Sequence, residues 1–178
     1  LCWRAARTVL DEVFNRVVLW FAPVLTFTSE EVWQSRFGAG TKSVHREVWP
    51  ETPVEWRDDE LAAKWKTILD VKEDVNGVLE GARRDKVIGS ALQADVTVSV
   101  KDAAVLKTFE GQDAKEIFIT SGATLQHNPD QGESVGVTYV VAEGDKCERC
   151  WIVSPEVTAH GSLCKRCDTV VSAMDAAG

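Results

Sequence analysis

Four cysteines, Cys147, Cys150, Cys164 and Cys167, stand as two CxxC pairs with thirteen residues between them. A CxxC pair places both sulfurs on one side of a tight turn. Two such turns facing each other make a tetrahedral four-sulfur cage, the geometry zinc takes with Zn–S distances of about 2.3 Å. The spacing is slightly shorter than the usual zinc-ribbon range, but the loop is long enough to return the chain. One structural Zn2+ is therefore expected. The same residues also allow two disulfides, free surface thiols or an iron–sulfur cluster. His160 lies in the loop and could replace one cysteine, although four thiols already complete a set.

The residues around the cysteines offer recognition chemistry. Arg149 stands inside the first pair, Trp151 directly follows it, and Lys165 and Arg166 stand inside the second. Over Lys146–Cys167 four positive and two negative side chains give +2, while four thiolates with one zinc ion contribute −2. The loaded knuckle is near neutral and is no strong magnet for anions. Trp151 could stack on an unpaired base while Arg149 donates to its edge, as single-strand RNA recognition requires. The competing reading is that Trp151 caps a metal site too small to have a core. A second basic spot, Arg83, Arg84 and Lys86, closes a long helix; it reads either as a solvated face matched to the helix dipole or as a phosphate contact.

No catalytic constellation accompanies these features. The chain has no Gly-rich phosphate loop and no GxSxG elbow, and Asp58-Asp59-Glu60 reads as helix-start chemistry. Catalytic residues are not expected. A net charge of −8 argues against a surface that grips nucleic acid everywhere, without excluding a local contact. No apolar run approaches the roughly 20 residues of a membrane span. The start, Leu1-Cys2-Trp3-Arg4, lacks both an initiator Met and a signal-peptide layout, so the chain reads as a piece of a longer protein. The odd fifth cysteine, Cys2, fits a reducing, cytoplasmic setting.

The elements that must position these residues read as an α+β chain. Residues 1–57 are expected to be the end of a helical bundle. A first helix over 1–22 carries the rows Val9, Val13, Val17 and Leu10, Phe14, Val18, Phe21, a stripe wide enough to pack on two sides. After Pro23 a second helix is expected from a capping box at Thr28-Ser29-Glu30-Glu31, with Phe27 and Val32 as its hydrophobic staple, to Phe37 and Gly38. Residues 38–57 read as a loop with an extended piece at Ser43–Trp49. Six of the seven tryptophans lie in residues 1–65 and are expected to fill a helical core. A long connecting helix over 58–88 follows, stopped by Gly89. Residues 89–143 read as a small α+β module. Its strands are expected at Ala94–Val100, Glu116–Thr120, Ala123–His127 and Gly136–Val141, with a short helix at Ala103–Phe109 and a turn region at Asn128–Ser134. The zinc knuckle occupies 144–171, and 172–178 is expected to be a frayed tail.

Set in order, these parts resemble a known family. FAPVLTFTSEEVW at Phe21–Trp33 and SVHREVWPE at Ser43–Glu51 are similar to the anticodon-binding helical region of bacterial isoleucine–tRNA ligases. VLEGARRDKVIGSALQADVTV, within Trp65–Val98, is similar to that family's long helix and following strand, and EGDKCERCWIVSPEV…LCKRC to its C-terminal zinc module. The resemblance implies that the parent joins isoleucine to its tRNA using ATP, as a cytoplasmic monomer that is no membrane protein. It implies that this chain is the non-catalytic C-terminal piece holding the anticodon end of tRNA, with Cys147, Cys150, Cys164 and Cys167 as zinc ligands. ATP and isoleucine would bind only in a catalytic domain, whose HIGH-like and KMSKS-like motifs do not occur here. Two other readings stay open: the zinc-finger, DNA-binding portion of a DNA-repair glycosylase, which carries a similar four-Cys finger, and a purely structural zinc module.

Overall fold

The computed structural model describes residues 2–158 and 162–176. The side chain of Cys2, His160 and the last two residues of the tail lie outside the described residues. The chain divides into two compact units, Leu1–Arg57 and Asp58–Gly178.

In the first unit, apolar residues at helical spacing build α1 (Cys2–Phe21), and α2 (Thr26–Phe37) follows, ended by Gly38 at φ 97°. Val18, Leu19, Ala22 and Val44 form a small core, with Phe14 and Trp33 packed against it. A buried arginine ties the connecting segment to α1. Arg16 pairs with the Glu12 carboxylate at 2.6 Å, donates to the Glu51 carbonyl at 2.9 Å and lies 4.6 Å from the Trp56 ring centre. Glu30 does the same for the segment after α2. Its carboxylate accepts from Ser43 Oγ at 2.8 Å and from the Val44 amide at 3.1 Å. These bonds, Ser43 first and Gln34 next, hold its pKa below the usual carboxylate range.

Several expectations for this unit are overturned. The capping box is not formed: α2 starts earlier, with Leu25 at its N-cap and no side-chain cap, because the Ser29 amide finds the Leu25 carbonyl at 2.8 Å. Phe27 and Val32 are exposed and make no staple. Within the extended piece expected at Ser43–Trp49, Val44–Arg46 form a 3-10 turn capped by the Ser43 hydroxyl, and Glu47 just after it is extended. Helix α1 is not packed on two sides; Val9, Leu10 and Val13 face solvent. The tryptophans do not fill a core either: Trp3, Trp20, Trp49 and Trp56 are exposed, Trp33 alone in this unit is drawn against a core, and Trp65, on the long helix of the second unit, is exposed as well. Two helices and a turn have too few layers to enclose so many large rings.

The second unit begins with α3 (Asp59–Arg84), capped by the Asp58 carboxylate on the Leu61 amide at 2.8 Å. Its 26 residues span roughly 39 Å at about 1.5 Å per residue. Ile68, Val71, Val75, Leu79 and Ala82 are its buried stripe. The helix stops at Lys86, which takes φ 58°, not at Gly89. The Val87 amide returns to the Ala82 carbonyl and Lys86 to Arg83, each at 3.0 Å, a Schellman pattern that satisfies the last carbonyls.

The stripe of α3 covers one face of a three-stranded sheet in the order β2-β1-β3. Strand β1 (Ala94–Val100) is central, and its Ala94, Val96, Val98 and Val100 are fully buried. It pairs in parallel with β2 (Gly122–His127) and antiparallel with β3 (Val135–Val141), so Thr97 faces Thr124 on one side and Thr138 on the other. A parallel pair needs a crossover. Helices α4 (Ala103–Thr108) and α5 (Ala114–Phe118) supply it, each capped by an aspartate, Asp102 and Asp113. Here the expected strand at Glu116–Thr120 is corrected to α5: the Asp113 cap starts a turn of helix, and Ile119 ends it in the left-handed region at φ 58°. The helical turn sends Phe118 into the core beside Phe109, 5.8 Å between ring centres.

The chain then forms a two-stranded ribbon, β4 (Asp145–Lys146) and β5 (Val153–Ser154), and ends in α6 (Lys165–Asp175). Part of the expected tail is thus helical, since Ser172–Asp175 continue α6. Among the described residues no helix is long and apolar enough to cross a membrane.

Candidate metal centre

The ribbon sets the first CxxC pair. Gly144 takes φ 104°, and a Cβ there would stand 2.2 Å from the Ser154 carbonyl oxygen, so a glycine lets the two strands close. The Cys147 amide donates to the Ile152 carbonyl and the Trp151 amide to the Cys147 carbonyl, both at 2.9 Å. This turn holds Cys147 and Cys150 on one side and forces Trp151 to φ 66°. Helix α6 sets the second pair: Cys164 occupies its N-cap position and Cys167 lies in its first turn. The partial positive charge of the helix start therefore faces the sulfurs, where it favours thiolates.

All four sulfurs lie within 4.8 Å of one another. A tetrahedron with Zn–S bonds of about 2.3 Å has S···S edges of about 3.8 Å. Cys150 and Cys164 are 3.7 Å apart, and the four thiols are free, so the disulfide alternative is not the arrangement found. Cys147 and Cys164 are buried with Cys167 and Val157 in a cluster of their own, against which Leu163 packs. The donor set and its size fit one structural zinc ion.

Cys147 and Cys167 differ strongly in acidity. Burial pushes Cys147 up, but backbone amides from Cys150, Cys164 and Arg149 outweigh it and bring its pKa down to about 6. Burial, then hydrogen bonds to the other cysteines, push Cys167 up to about 12. Burial raises Cys164 as well. Arg166 is held above its usual value by a hydrogen bond to Cys150 and by the cysteine charges.

The recognition candidates fall in two groups. Arg149, Trp151, Lys165 and Arg166 are exposed around the cage, and Trp151 keeps 60 % of its surface. Lys146 Nζ stands 5.6 Å from the Trp151 ring centre, a neighbour that residue spacing did not single out. Arg166 already has partners, Cys150 and, at 3.9 Å, the Glu116 carboxylate of α5. Arg83, Arg84 and Lys86 are exposed at the end of α3, with Arg83 engaged by Glu80. Val157, Gly144 and Ser121 were not singled out from sequence. Gly144, just before the ribbon, carried a turn signal; Val157 and Ser121 carried none.

Comparison with known proteins places this architecture. Residues 2–98 match the family described as the anticodon-binding domain of tRNA ligase, and residues 144–170 match the zinc finger found in FPG and IleRS. The chain is 42 % identical over 178 residues to an isoleucine–tRNA ligase of Ruegeria pomeroyi, with 94 % of this chain and 18 % of that protein covered. It is 45 % identical over 175 residues to the one of Gluconobacter oxydans, covering 96 % of this chain and 18 % of the relative. Against that of Natranaerobius thermophilus the identity is 36 % over 183 residues, with 94 % and 20 % covered. The chain thus spans about a fifth of the length of these relatives. With the family match running from α1 through the long helix into β1, and the zinc-finger match over the four-cysteine cage, the chain belongs to the anticodon-binding domain family of tRNA ligases.

Proposed function

We propose that this chain is the tRNA-binding part of an isoleucine–tRNA ligase and holds the anticodon end of tRNA while chemistry proceeds elsewhere in the parent enzyme. The observation that carries this reading is the succession, in one chain, of the anticodon-binding match and the zinc-finger match. The parent attaches isoleucine to tRNA using ATP, and the ATP and isoleucine sites belong to its catalytic domain. It acts as a cytoplasmic monomer. Within the chain, Cys147, Cys150, Cys164 and Cys167 ligate zinc, and the zinc has a structural task. Trp151 and Arg149 take an unpaired base by stacking and edge hydrogen bonds. Lys165 and Arg166 neutralise nearby phosphates, as do Arg83, Arg84 and Lys86 at the end of α3.

Filter binding of tRNA to the parent enzyme tests this reading. Stacking on an aromatic is worth about 1–3 kcal/mol per base, so Trp151→Ala should weaken binding at least about fivefold. Arg84→Ala should weaken it for all tRNAs and lower the salt slope by about one ion. Unchanged tRNA affinity and charging in both Trp151→Ala and Arg149→Ala, with zinc still bound, would reduce the knuckle to a purely structural module.

A further inference from the structure

The zinc knuckle and the α+β module have separate cores, with no buried residue in common. Between them lies a groove of about 940 Å³, lined from the module by Asp95, Glu116 and Ser121 and from the knuckle by Val153, Glu156 and Arg166. The groove leaves that seam open, so specific bonds across it help to set the orientation of the two bodies. One bond across it is the Arg166–Glu116 pair, at 3.9 Å with both side chains about two-thirds exposed. Such exposed pairs hold geometry weakly.

A second contact is of a different kind. Ser121, half-buried just before β2, donates its hydroxyl proton to the Leu92 carbonyl at 2.5 Å. The same oxygen accepts from the Val153 amide of β5 at 2.8 Å. The Ser121 amide is itself anchored on the Ala94 carbonyl of β1 at 3.0 Å. A hydroxyl has one proton to give and lone pairs to receive. Because the proton is committed to Leu92, a lone pair is aimed at Val153. Val153 is two residues from Trp151 and pairs across the ribbon with Lys146, which neighbours Cys147 and approaches the Trp151 ring.

We propose that Ser121 is a positioning residue for tRNA binding: its hydroxyl pins β5 to the sheet module and thereby sets where Arg149 and Trp151 point. This rests on the tRNA-binding reading above. Ser121 itself touches neither the metal cage nor, on this proposal, the RNA.

The test uses the zinc-loaded parent enzyme with its tRNA. Ser121→Ala should keep about one zinc per chain by metal analysis. It should speed hydrogen–deuterium exchange several-fold in the peptide spanning residues 145–154, with β1 unchanged. It should raise the KM for tRNA by about tenfold, as expected for one lost anchoring bond, with kcat unaltered. Ser121→Thr, which keeps the hydroxyl, should restore both exchange and KM. Unchanged exchange in Ser121→Ala would overturn the pin. Faster exchange with wild-type tRNA affinity would overturn the positioning role, provided Trp151→Ala does weaken binding. If Trp151→Ala also leaves binding unaltered, the tRNA-binding reading of the knuckle fails on its own account, and the positioning role falls with it.

Discussion

In the folded cage Cys147 and Cys167 are chemically unequal, and this has a measurable consequence. Cys147, near 6, has lost its proton at neutral pH, whereas Cys167, near 12, has kept it. Zinc binds thiolates, so any thiol still protonated must release its proton on binding, and affinity rises with pH. Titration calorimetry in buffers of different ionisation heat should therefore find fewer protons released at pH 7.5 than at pH 5. The Cys147 proton drops out of the count as pH rises through about 6, while the Cys167 proton is still displaced at pH 7.5. An unchanged proton count across that range would contradict the ranking.

Elements show how the same residue type can matter or not. Leu61 and Leu79 lie on the same helix, but Leu61 is 49 % exposed and Leu79 is 2 % exposed against the sheet. Leu79→Ala should cost about 2–5 kcal/mol in urea unfolding. Leu61→Ala should stay within about 0.5 kcal/mol of wild type. Equal costs would mean that α3 does not bury the face described. The ribbon is sensitive at one point. Gly144→Ala adds a Cβ 2.2 Å from the Ser154 carbonyl oxygen at a φ of 104°, and both effects oppose the closed ribbon. A loss of more than about 1 kcal/mol is expected, together with weaker zinc retention against a chelator. Elsewhere along the chain, legibility followed the length of the pattern. The five-residue α5 reads as a strand because Ile117, Phe118 and Ile119 make a short apolar run bounded by Glu116 and Thr120, and so short a segment cannot separate period 2 from period 3.6. The long α3 and the β-rich segments Ala94–Val100 and Val135–Val141 were readable, because their repeats outlast the ambiguity.

At the scale of the whole chain, stability is unevenly distributed. The sheet module carries a continuous apolar core from Ile68 to Phe118, whereas the knuckle's buried cluster is three cysteines and Val157. Removing zinc should therefore loosen the ribbon and α6 and leave the module folded. Hydrogen exchange after chelation should rise through the ribbon and α6 while β1, β2 and β3 stay protected. Loss of protection in β1 would show that the two cores unfold as one.

The residue types and their order determined the chemistry that is local in the chain. Two CxxC pairs specify a cage wherever they are brought together, and apolar periodicity over many residues specifies α3 and the central strand. Those properties depend on spacing along the backbone. The tertiary structure decided what depends on distant neighbours. It left four of the first unit's five tryptophans exposed where a filled core was expected, because that unit has too few layers to cover them. It set the left-handed turn of Trp151 through bonds that close the ribbon. It also brought Ser121 to Val153, 32 residues apart, through a hydroxyl with no motif around it. Contacts of that range form only when separately folded elements dock, and composition and periodicity carry no record of which surfaces meet.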